Sequence, residues 1–469
     1  MAKRIVMKFG GTSLADTEMI KRAAEIVREK HNEGFNIAVI ASASGKTTDE
    51  LIKIAKNIES GERKESIKIL DEIKSKHDDI VKELIDKDKV KKEVLNEIKD
   101  RYKELKTGIS ELNKVDERFL DYIMSFGEKL SAPILSGALR DLELDSIYLT
   151  GREAGILTDT DYGNANPLKE TEKKIRNKLE PIIAKSIPVI TGFIGGSKNG
   201  DTTTLGRGGS DYTASIIGEA IKANEIIIWT DVDGVLTCDP NIEPNATILD
   251  KISYKEAMEL SYFGADVLHP KSIAPAIENN IPVKVKNTKK PKKHGTEIIK
   301  EEEKVEGVVK GISAEKDVAL VNVSGIGMIG TPGVAAEAFT ALANEKINII
   351  MISTGSSEPT ISILVDKNDL SNSIRALRNH FEGGAIEEVT RDSDVAVVSV
   401  VGTGMAGTPG VAGRVFEALG KREINIKMIS QGSSEFNISF VIKENDVEKA
   451  IRILHKEFGL DKVKEKLSR

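Results

Sequence analysis

Cysteine is nearly missing from this chain of 469 residues, and the other scarce features exclude several classes of protein. The single cysteine, Cys238, has no partner for an intrachain disulfide, and it excludes a metal site built from several cysteines. The six histidines are scattered, and none belongs to an HExxH zinc motif. No run of about 18 apolar residues is present, so no transmembrane helix is expected.

Charge of either sign is not in large excess. The net charge is −6 and the sequence pI is about 5.8, so no bulk positive field attracts nucleic acid or an anionic membrane. The lysine run at 289–293 is interpreted as solvated surface. The first residues, MAKRIVMKFGG, lack the apolar core of a secretory signal. These features predict a cytoplasmic enzyme or regulator that binds neither nucleic acid nor membrane.

Short apolar runs alternate with helical segments through the first part of the chain, which is typical of an α/β fold with a parallel sheet. The strands are predicted at 5–9, 37–41, 146–149, 187–194, 225–230 and 281–286. A long charged stretch without proline, 49–115, predicts several amphipathic helices inserted after the second strand. We interpret this insert as a solvated excrescence. The polar, turn-rich segment 287–304 predicts a domain boundary.

Beyond that boundary the chain repeats itself. Residues 317–363 align without gaps to residues 394–440, and 29 of the 47 pairs are identical. Each unit is predicted to run strand, helix, strand, strand, helix. Thr331 and Thr408 are expected to cap the first helices, each followed by proline. The second unit is one strand short, and the hypothesis is that residues 305–313 supply it.

Three stretches could hold a phosphate. In IAVIASASGKTTDE the P-loop motif needs a glycine at position 40, which is Ile40, so this stretch fails the motif. The repeats each contain GxGxxG, but no acidic residue ends the next strand, which argues against a dinucleotide site. KFGGTS remains: a strand delivers Lys8, and two glycines and two hydroxyls follow it before a helix.

Further stretches accompany KFGGTS: SASGKTTDEL, SFGE, TGFIG, TLGRGGSD, WTDVDGV, FGADVLHP and the paired GSSE segments. Together they resemble aspartate kinase of the amino-acid kinase superfamily, over essentially the whole chain. The resemblance implies an amino-acid (carbamate) kinase-like αβα sandwich, followed by two ferredoxin-like βαββαβ ACT domains. The implied domains are 1–290, with the helical insert at 49–115, then a linker and strand at 291–312, and ACT domains at 313–390 and 391–469. No fused homoserine dehydrogenase is expected.

The resemblance implies an ATP:L-aspartate 4-phosphotransferase, the first step towards lysine, threonine and methionine. Aspartate offers a carboxylate that is already ionised at pH 7, so no general base is needed. Mg²⁺ would arrive with ATP, and no metal site of protein side chains is predicted. The implied catalytic residues are Lys8 and Asp211. The implied aspartate contacts are Ser42, Thr48, Glu128, Arg207 and Ser210. The implied ATP contacts are Lys8, Phe9, Gly10, Gly11, Thr230, Asp231, Val235, Leu236, Asp239 and Pro240, with Trp229 beside the adenine.

Structural roles compete with these assignments. Arg207 and Asp211 could form a loop-ordering ion pair, Glu128 could be a helix N-terminal charge, and Trp229 could fill the core. Asp266 departs from the family, in which many members carry a lysine near the phosphates; Lys271 is then expected to take part of that work, or Lys8 and Mg²⁺ suffice. Lys46 either reaches a phosphate or faces water.

Regulation is expected through the ACT repeats, which the resemblance assigns to an amino-acid effector, with threonine favoured over lysine. The expected effector contacts are Met328, Gly330, Asn348, Ile349 and Gln431. Thr354 and Thr360 answer Gln431 and Asn437 in the second repeat, so the two pockets should differ. A homodimer or dimer of dimers is expected through the repeats, burying the strand at 318–323. The alternatives are a glutamate or N-acetylglutamate kinase of the same fold, and a non-catalytic amino-acid sensor.

Overall fold

The computed structural model describes residues 3–111, 114–262, 268–300, 308–355, 360–383 and 386–462. Asp266 therefore lies outside the described residues. The chain forms two compact units. The first unit runs to Val235 and includes Asp250–Tyr254 and the described residues from 268 to 300. The second contains Leu236–Leu249 and the described parts of Lys255–Asp266 and Glu302–Arg469.

An eight-stranded sheet forms the centre of the first unit, in the order β3-β5-β2-β1-β8-β10-β11-β9. Its strands pair in parallel except for β10 with β11. The strands of this unit are β1 (Arg4–Phe9), β2 (Asn36–Ala41), β3 (Ser146–Leu149), β4 (Leu157–Thr158), β5 (Ile187–Thr191), β6 (Ile194–Ser197), β7 (Thr202–Thr204), β8 (Glu225–Thr230), β9 (Lys251–Ser253), β10 (Val283–Asn287) and β11 (Thr296–Ile299).

Helices cover both faces of this sheet. They are α1 (Thr17–Asn32), α2 (Thr47–Glu59), α3 (Arg63–Leu84), α4 (Asp88–Glu111), α5 (Glu117–Met124), α6 (Phe126–Asp141), α7 (Gly151–Ala154), α8 (Thr171–Ile183), α9 (Gly209–Ala220), α10 (Tyr254–Tyr262, from Lys255 in the second unit) and α11 (Pro270–Glu278). Helices α1 and α6 pack together on one face, and α8, α9 and α11 pack on the other. The predicted αβα layering is confirmed. In the part of the chain that the structure describes, no helix combines the length and apolar content that a membrane span needs.

Alternation along β1 decides which of its side chains face helix α9. Ile5, Met7 and Phe9 join the core cluster beneath α1 and α6. Because successive side chains of a strand point to opposite faces, Lys8 lies on the face that α9 covers.

The helical insert is not an excrescence, and that interpretation was wrong. Leu51, Ile54, Ile73, Ile98 and Leu105 are buried in the same core cluster as β1 and β2. The charged residues occupy the outer faces of α2, α3 and α4, which are amphipathic.

The predicted strand at 187–194 is two strands. Phe193 has a φ of 64°, a left-handed conformation that breaks the extended chain after β5. The chain then enters β6, which belongs to a separate three-stranded sheet in the order β4-β6-β7. This break places a turn beside the start of α9.

The second unit contains two four-stranded sheets, in the orders β14-β15-β13-β16 and β12-β17-β19-β18. Its strands are β12 (Gly311–Glu315), β13 (Val318–Ser324), β14 (Ile349–Thr354), β15 (Thr360–Asp366), β16 (Glu388–Asp392), β17 (Ala396–Val401), β18 (Met428–Ser430) and β19 (Asn437–Ile442). Its helices are α12 (Val334–Asn344), α13 (Leu370–His380), α14 (Val411–Gly420) and α15 (Val447–Glu457). Val318, Leu320, Val395 and Val397 contribute to a core in which the two sheets meet.

The two repeats are interleaved. Strand β12 precedes the first repeat but pairs with β17 of the second, from Gly311 opposite Val401 to Glu315 opposite Val397. The hypothesis that the segment before the first repeat completes the second is confirmed in its described part.

Two details of the repeats were predicted wrongly. The helices α12 and α14 begin after Gly333 and Gly410, which have left-handed backbone conformations, so Thr331 and Thr408 are not the capping residues. Strand β13 is paired on both sides, so it is an interior strand and has no free edge for a second subunit.

Candidate active site

Lys8 and Asp211 form a buried ion pair. Lys8 Nζ lies 2.6 Å from Asp211 Oδ1, and each side chain is about one tenth exposed. Lys8 comes from the end of β1 and Asp211 from the first turn of α9. Asp211 therefore pairs with Lys8, and the alternative of a loop-ordering ion pair between Asp211 and Arg207 is not what the structure shows. A buried cation with one carboxylate partner remains able to attract a phosphate.

The glycines after Lys8 allow close packing of neighbouring segments. The N–H of Gly10 donates to the carbonyl of Trp229 at 3.0 Å, so this N–H already has a backbone partner. A Cβ at Gly11 would lie 3.1 Å from the carbonyl oxygen of Ala43. Gly11 therefore lets the KFGGTS and SASGKTT loops touch. The Gly45 N–H donates to the Gly11 carbonyl at 3.0 Å.

The SASGKTT loop lies at the carboxyl end of β2. The Ser42 N–H donates to the carbonyl of Phe9 at 3.1 Å, and Thr48 lies in the first turn of α2. A Cβ at Gly127 would lie 3.5 Å from Thr48 Oγ1, so this loop also meets the SFGE stretch. Lys46 is exposed.

Glu128 is the one acidic residue of the predicted aspartate set, and it is buried. Its Oε1 accepts a hydrogen bond from the Ala43 N–H at 3.1 Å, and its Oε2 has no hydrogen-bond partner among the described residues. The residue is 3% exposed. Burial raises the pKa of Glu128 to about 8. A buried carboxylate oxygen without a partner is costly unless a ligand supplies a donor.

The TLGRGGSD loop leads into α9. Gly208 has a φ of 69°, and the helix begins at Gly209 with Ser210 and Asp211 in its first turn. Arg207 is exposed on this loop. A Cβ at Gly192 would lie 2.5 Å from Ser210 Oγ, so the glycine of TGFIG makes room for Ser210.

The predicted nucleotide contacts belong to both units of the chain. The Trp229 ring is 1% exposed and stacks on Phe9, with ring centroids 6.1 Å apart, so it fills the core rather than facing an adenine. Thr230 is half-buried and Asp231 is exposed at the end of β8. Val235 belongs to the first unit, and its N–H donates to Thr296 Oγ1 at 2.8 Å. The other three members of the predicted set belong to the second unit: Leu236, Asp239 and Pro240.

Asp233 was not singled out from the sequence, and its lysine partners were interpreted otherwise. Asp233 accepts hydrogen bonds from Lys293 at 2.7 Å and Lys290 at 3.1 Å, so part of the lysine run is paired, not simply solvated. The hydrogen bond from Lys293 is the largest cause lowering the pKa of Asp233 to about 2. Lys271 donates to Asn164 Oδ1 at 2.7 Å, beside the glycine loop. In the sequence, the only signals for the Asp233 contacts were the second aspartate of WTDVDG and the spacing of the lysines at 289–293.

Asp121 was also missed. It is fully buried and accepts hydrogen bonds from the backbone of Gly163 and from Thr204. A carboxylate between Leu120 and Tyr122 on a short helix was the only hint in the sequence.

The expected effector residues are surface or partly buried positions of the repeats. Met328 and Ile349 are half-buried, and Gly330, Asn348 and Gln431 are exposed. Ile326 and Ile329 beside them are 71% and 65% exposed, respectively. At the equivalent positions of the second repeat are Thr403 and Ala406, and Thr403 donates to Glu256 at 2.8 Å through its N–H.

Comparisons with known protein families identify the kind of domain in each part of the chain. The model of the amino acid kinase family matches residues 3–287. The ACT domain model matches residues 321–381 and 398–458. The first unit is therefore an amino acid kinase domain, and the repeats are ACT domains.

Individual relatives show which group of amino acid kinases this chain is similar to. Aspartokinase 1, chloroplastic, of Arabidopsis thaliana is 35% identical over 97% of this chain and 80% of its own length. The structure of E. coli aspartokinase III with aspartate and ADP superposes with a TM-score of 0.81 at 29% identity, covering 97% of this chain and 100% of that one. The Clostridium acetobutylicum aspartate kinase structure has a TM-score of 0.78 at 30% identity, covering 97% and 100%. This chain belongs to the aspartokinases of the amino acid kinase family.

Some relatives are longer. The bifunctional aspartokinase/homoserine dehydrogenase 2, chloroplastic, of Arabidopsis thaliana is 34% identical over 97% of this chain. The chain spans about half (51%) of that relative's length.

Proposed function

We propose that this protein transfers the γ-phosphoryl group of MgATP to the β-carboxylate of L-aspartate, giving 4-phospho-L-aspartate. The observation that carries the proposal is that two charged groups lie at the carboxyl ends of the paired parallel strands β1 and β2. The Lys8–Asp211 ion pair is at the end of β1, and the Glu128 carboxylate accepts from Ala43, just after β2. Ligands of open α/β sheets bind at the carboxyl ends of the strands.

Separate residues would hold the nucleotide phosphates and the amino acid. The Lys8 ammonium would attract the β- and γ-phosphates, and Asp211 would hold that ammonium in place. Glu128 would accept the α-ammonium of aspartate, because its Oε2 is buried without a hydrogen-bond partner. Arg207 would bind the α-carboxylate through its planar fork of donors. Ser42, Thr48 and Ser210 would add hydroxyls around the substrate.

On the nucleotide side, Phe9, Gly10, Gly11, Thr230, Asp231 and Val235 remain proposed contacts around the ends of β1 and β8. Leu236, Asp239 and Pro240 stay predictions from the resemblance. E. coli aspartokinase III is described in complex with aspartate and ADP, which supports both ligands for this chain.

Magnesium fits as a companion of the nucleotide. Among the described residues, no group of three or more His, Cys, Asp or Glu side chains is arranged to hold a metal. Mg²⁺ held by nucleotide phosphates needs only one or two protein carboxylates and keeps several waters. When bound, it would neutralise phosphate charge.

A hydroxylamine-trapping assay tests the proposal. The purified chain is given MgATP with aspartate, glutamate or N-acetylglutamate, and the acyl hydroxamate is measured. We expect hydroxamate with aspartate only, and loss of it in Lys8→Ala. Product with glutamate or N-acetylglutamate alone would assign the chain to another acyl-phosphate kinase. Aspartate binding by calorimetry without any hydroxamate would favour the sensor.

Feedback control by an amino acid is the second part of the proposal. Threonine remains our favoured effector, with lysine as the alternative, since E. coli aspartokinase III is described in complex with lysine and aspartate in its T-state. Met328, Gly330, Asn348, Ile349 and Gln431 are the proposed contacts. Initial rates at millimolar threonine or lysine decide between them, and an unchanged rate with both amino acids overturns feedback control. We also keep a cytoplasmic location and a place in lysine, threonine and methionine biosynthesis as proposals.

Assembly through the first repeat is the third part. Its loop exposes Ile326 and Ile329, whereas the equivalent residue Thr403 in the second repeat is held by Glu256. Among the described strands, β14 is also an edge strand of its sheet. A second copy of the chain is the partner that would cover this loop, which gives a homodimer or a dimer of dimers.

A further inference from the structure

We propose that Asp121 is a positioning residue that fixes the separation of the two halves of the amino-acid site. This inference rests on the proposed function, because it concerns how Glu128 and Arg207 are held for aspartate. Asp121 itself is placed outside the substrate's reach: it lies on α5 with no exposed surface.

The Asp121 carboxylate joins three segments of chain. Its Oδ1 accepts from Thr204 Oγ1 at 2.6 Å, and its Oδ2 accepts from the Thr204 N–H at 2.8 Å. The Gly163 N–H lies 3.0 Å from each of the two oxygens. These donors are all neutral, and burial raises the pKa of Asp121 although the hydrogen bonds oppose that shift.

On one side, backbone hydrogen bonds connect the helix that carries Asp121 to the helix that carries Glu128. The Ser125 N–H donates to the carbonyl of Asp121 at 3.0 Å, and the Lys129 N–H donates to the carbonyl of Ser125 at 3.2 Å. Helix α5 therefore passes directly into α6, whose first turn carries Glu128. A displacement of Asp121 moves the helix that presents the proposed ammonium acceptor.

On the other side, the same carboxylate holds the arginine loop. Thr204 ends β7 three positions before Arg207. Gly163 precedes Asn164, and a Cβ at Gly206 would lie 2.9 Å from Asn164 Oδ1. The Ala165 N–H also donates to the Thr204 carbonyl at 2.9 Å. Both segments that Asp121 binds thus support the backbone on which Arg207 is carried.

A carboxylate is the side chain this arrangement requires. Two backbone N–H groups and a hydroxyl all point at it, and a carboxylate offers acceptors only on both oxygens. Asparagine of the same size would present an NH₂ group to one of those donors. It keeps the volume but leaves a buried donor unpaired, which is unfavourable.

The test is a comparison of Asp121→Asn with Asp116→Ala in the full-length protein. Asp116 caps the same helix and accepts from the Phe119 N–H at 2.8 Å, but it does not touch the arginine loop. Asp116→Ala therefore removes the cap of α5 and leaves the Asp121–Thr204 hydrogen bonds in place. We expect Asp121→Asn to raise the KM for aspartate about tenfold or more, with the KM for ATP changed less than about twofold. Asp116→Ala should leave both within about twofold.

A second pair of variants covers the case in which Asp121→Asn fails to fold. Thr204→Val removes the hydroxyl donor and keeps the shape, and Thr204→Ser keeps the hydroxyl. We expect the KM for aspartate to rise about threefold to tenfold in Thr204→Val and to stay near the wild-type value in Thr204→Ser.

The outcomes separate the two proposals. A wild-type chain that forms no hydroxamate from aspartate overturns the proposed function together with this inference. An active wild type whose KM for aspartate is insensitive to Asp121→Asn, or to Thr204→Val where the former does not fold, overturns the positioning role alone. Equal effects of Asp121→Asn and Asp116→Ala would also overturn it, because helix stability would then explain both.

Discussion

Lys8 Nζ lies 2.6 Å from Asp211 Oδ1, although the two residues are carried by a strand and a helix far apart in the sequence. The pair lies where β1 ends and α9 begins. A buried ammonium whose partner belongs to another element keeps a fixed position, which phosphoryl transfer requires of its charge-neutralising groups.

Removal of the Lys8 charge tests this pair. We expect Lys8→Ala to lower kcat by about 10²- to 10³-fold, because one positioned electrostatic group is lost. Steady-state rates with saturating aspartate and MgATP give the value. Lys46→Ala is the matched control, since Lys46 is an exposed lysine of the neighbouring loop, and it should retain near-full activity. A large loss in Lys46→Ala would show that the SASGKTT loop binds the phosphates after all.

Asp211 should act through Lys8. Asp211→Asn leaves the Lys8 ammonium buried with a neutral neighbour, and we expect a fall in kcat close to that of Lys8→Ala. The double variant should lose little more than either single variant, since contacting residues are not additive. Multiplicative losses in this double-mutant cycle would mean that the two residues act independently.

Aspartate affinity should depend on pH through Glu128. Burial raises the pKa of Glu128 to about 8, so the carboxylate that an α-ammonium needs is mostly protonated at lower pH. We expect the KM for aspartate to fall by up to about tenfold per pH unit from pH 6 towards 8 and then to level off. Glu128→Gln should raise KM and flatten the profile, whereas Glu117→Gln, an exposed glutamate on α5, should leave it unchanged. A wild-type profile that is flat over this range would contradict the assignment.

The same raised pKa affects stability with the opposite sign. The folded-state pKa of Glu128 lies above the ordinary value, so the stabilisation belongs to the protonated form. It is fully present below the ordinary pKa of 4.5 and is lost as pH rises through about 8. The thermal midpoint of the unliganded protein should therefore fall more between pH 6 and 9 in the wild type than in Glu128→Gln.

His77 should weaken the protein at acidic pH. It is fully buried on α3, and burial lowers its pKa from 6.5 to about 4. A folded-state pKa below the unfolded value gives stability that is present above pH 6.5 and is lost as pH falls towards 4. Denaturant unfolding should show a slope approaching about 1.4 kcal/mol per pH unit in that window. His77→Gln should reduce the slope, and His31→Gln, an exposed histidine, should not.

The exposed loop of the first repeat should control assembly. A charge in a covered apolar contact is unfavourable, so we expect Ile329→Asp to weaken self-association by about tenfold or more. Sedimentation velocity over a concentration series gives the measurement. Ala406→Asp changes the equivalent position of the second repeat and should leave the mass unchanged. An unaltered mass distribution in Ile329→Asp would place the interface elsewhere.

The sequence predicted the sheet well because its central strands are short apolar runs flanked by glycine turns. Strands β1, β2, β3 and β8 begin within one residue of the expected positions. The Lys8 loop could be found because strand, glycines and helix follow one another. The break at Phe193 could not, since a positive φ at an aromatic residue is set by packing and not by preference.

Other features depend on contacts that a linear pattern does not contain. Whether the insert is buried follows from which faces of α2 to α4 meet the sheet, and charge content alone suggested the opposite. The N–H of Gly10 donates to the carbonyl of Trp229 on a neighbouring strand, a contact that the KFGGTS motif does not contain. Asp121 acquires its role from donors at Gly163 and Thr204, which are distant in the sequence.

Strand β12 has a consequence for how the chain is synthesised. It leaves the ribosome before the first repeat, but its partner β17 follows that repeat, with Gly311 opposite Val401. The second sheet therefore cannot be completed until the first repeat has been made, and an ordered first repeat shortens the flexible loop that this pairing must close. Variants that slow folding of the first repeat should leave a nascent chain with an exposed β12, and such a chain is prone to aggregate.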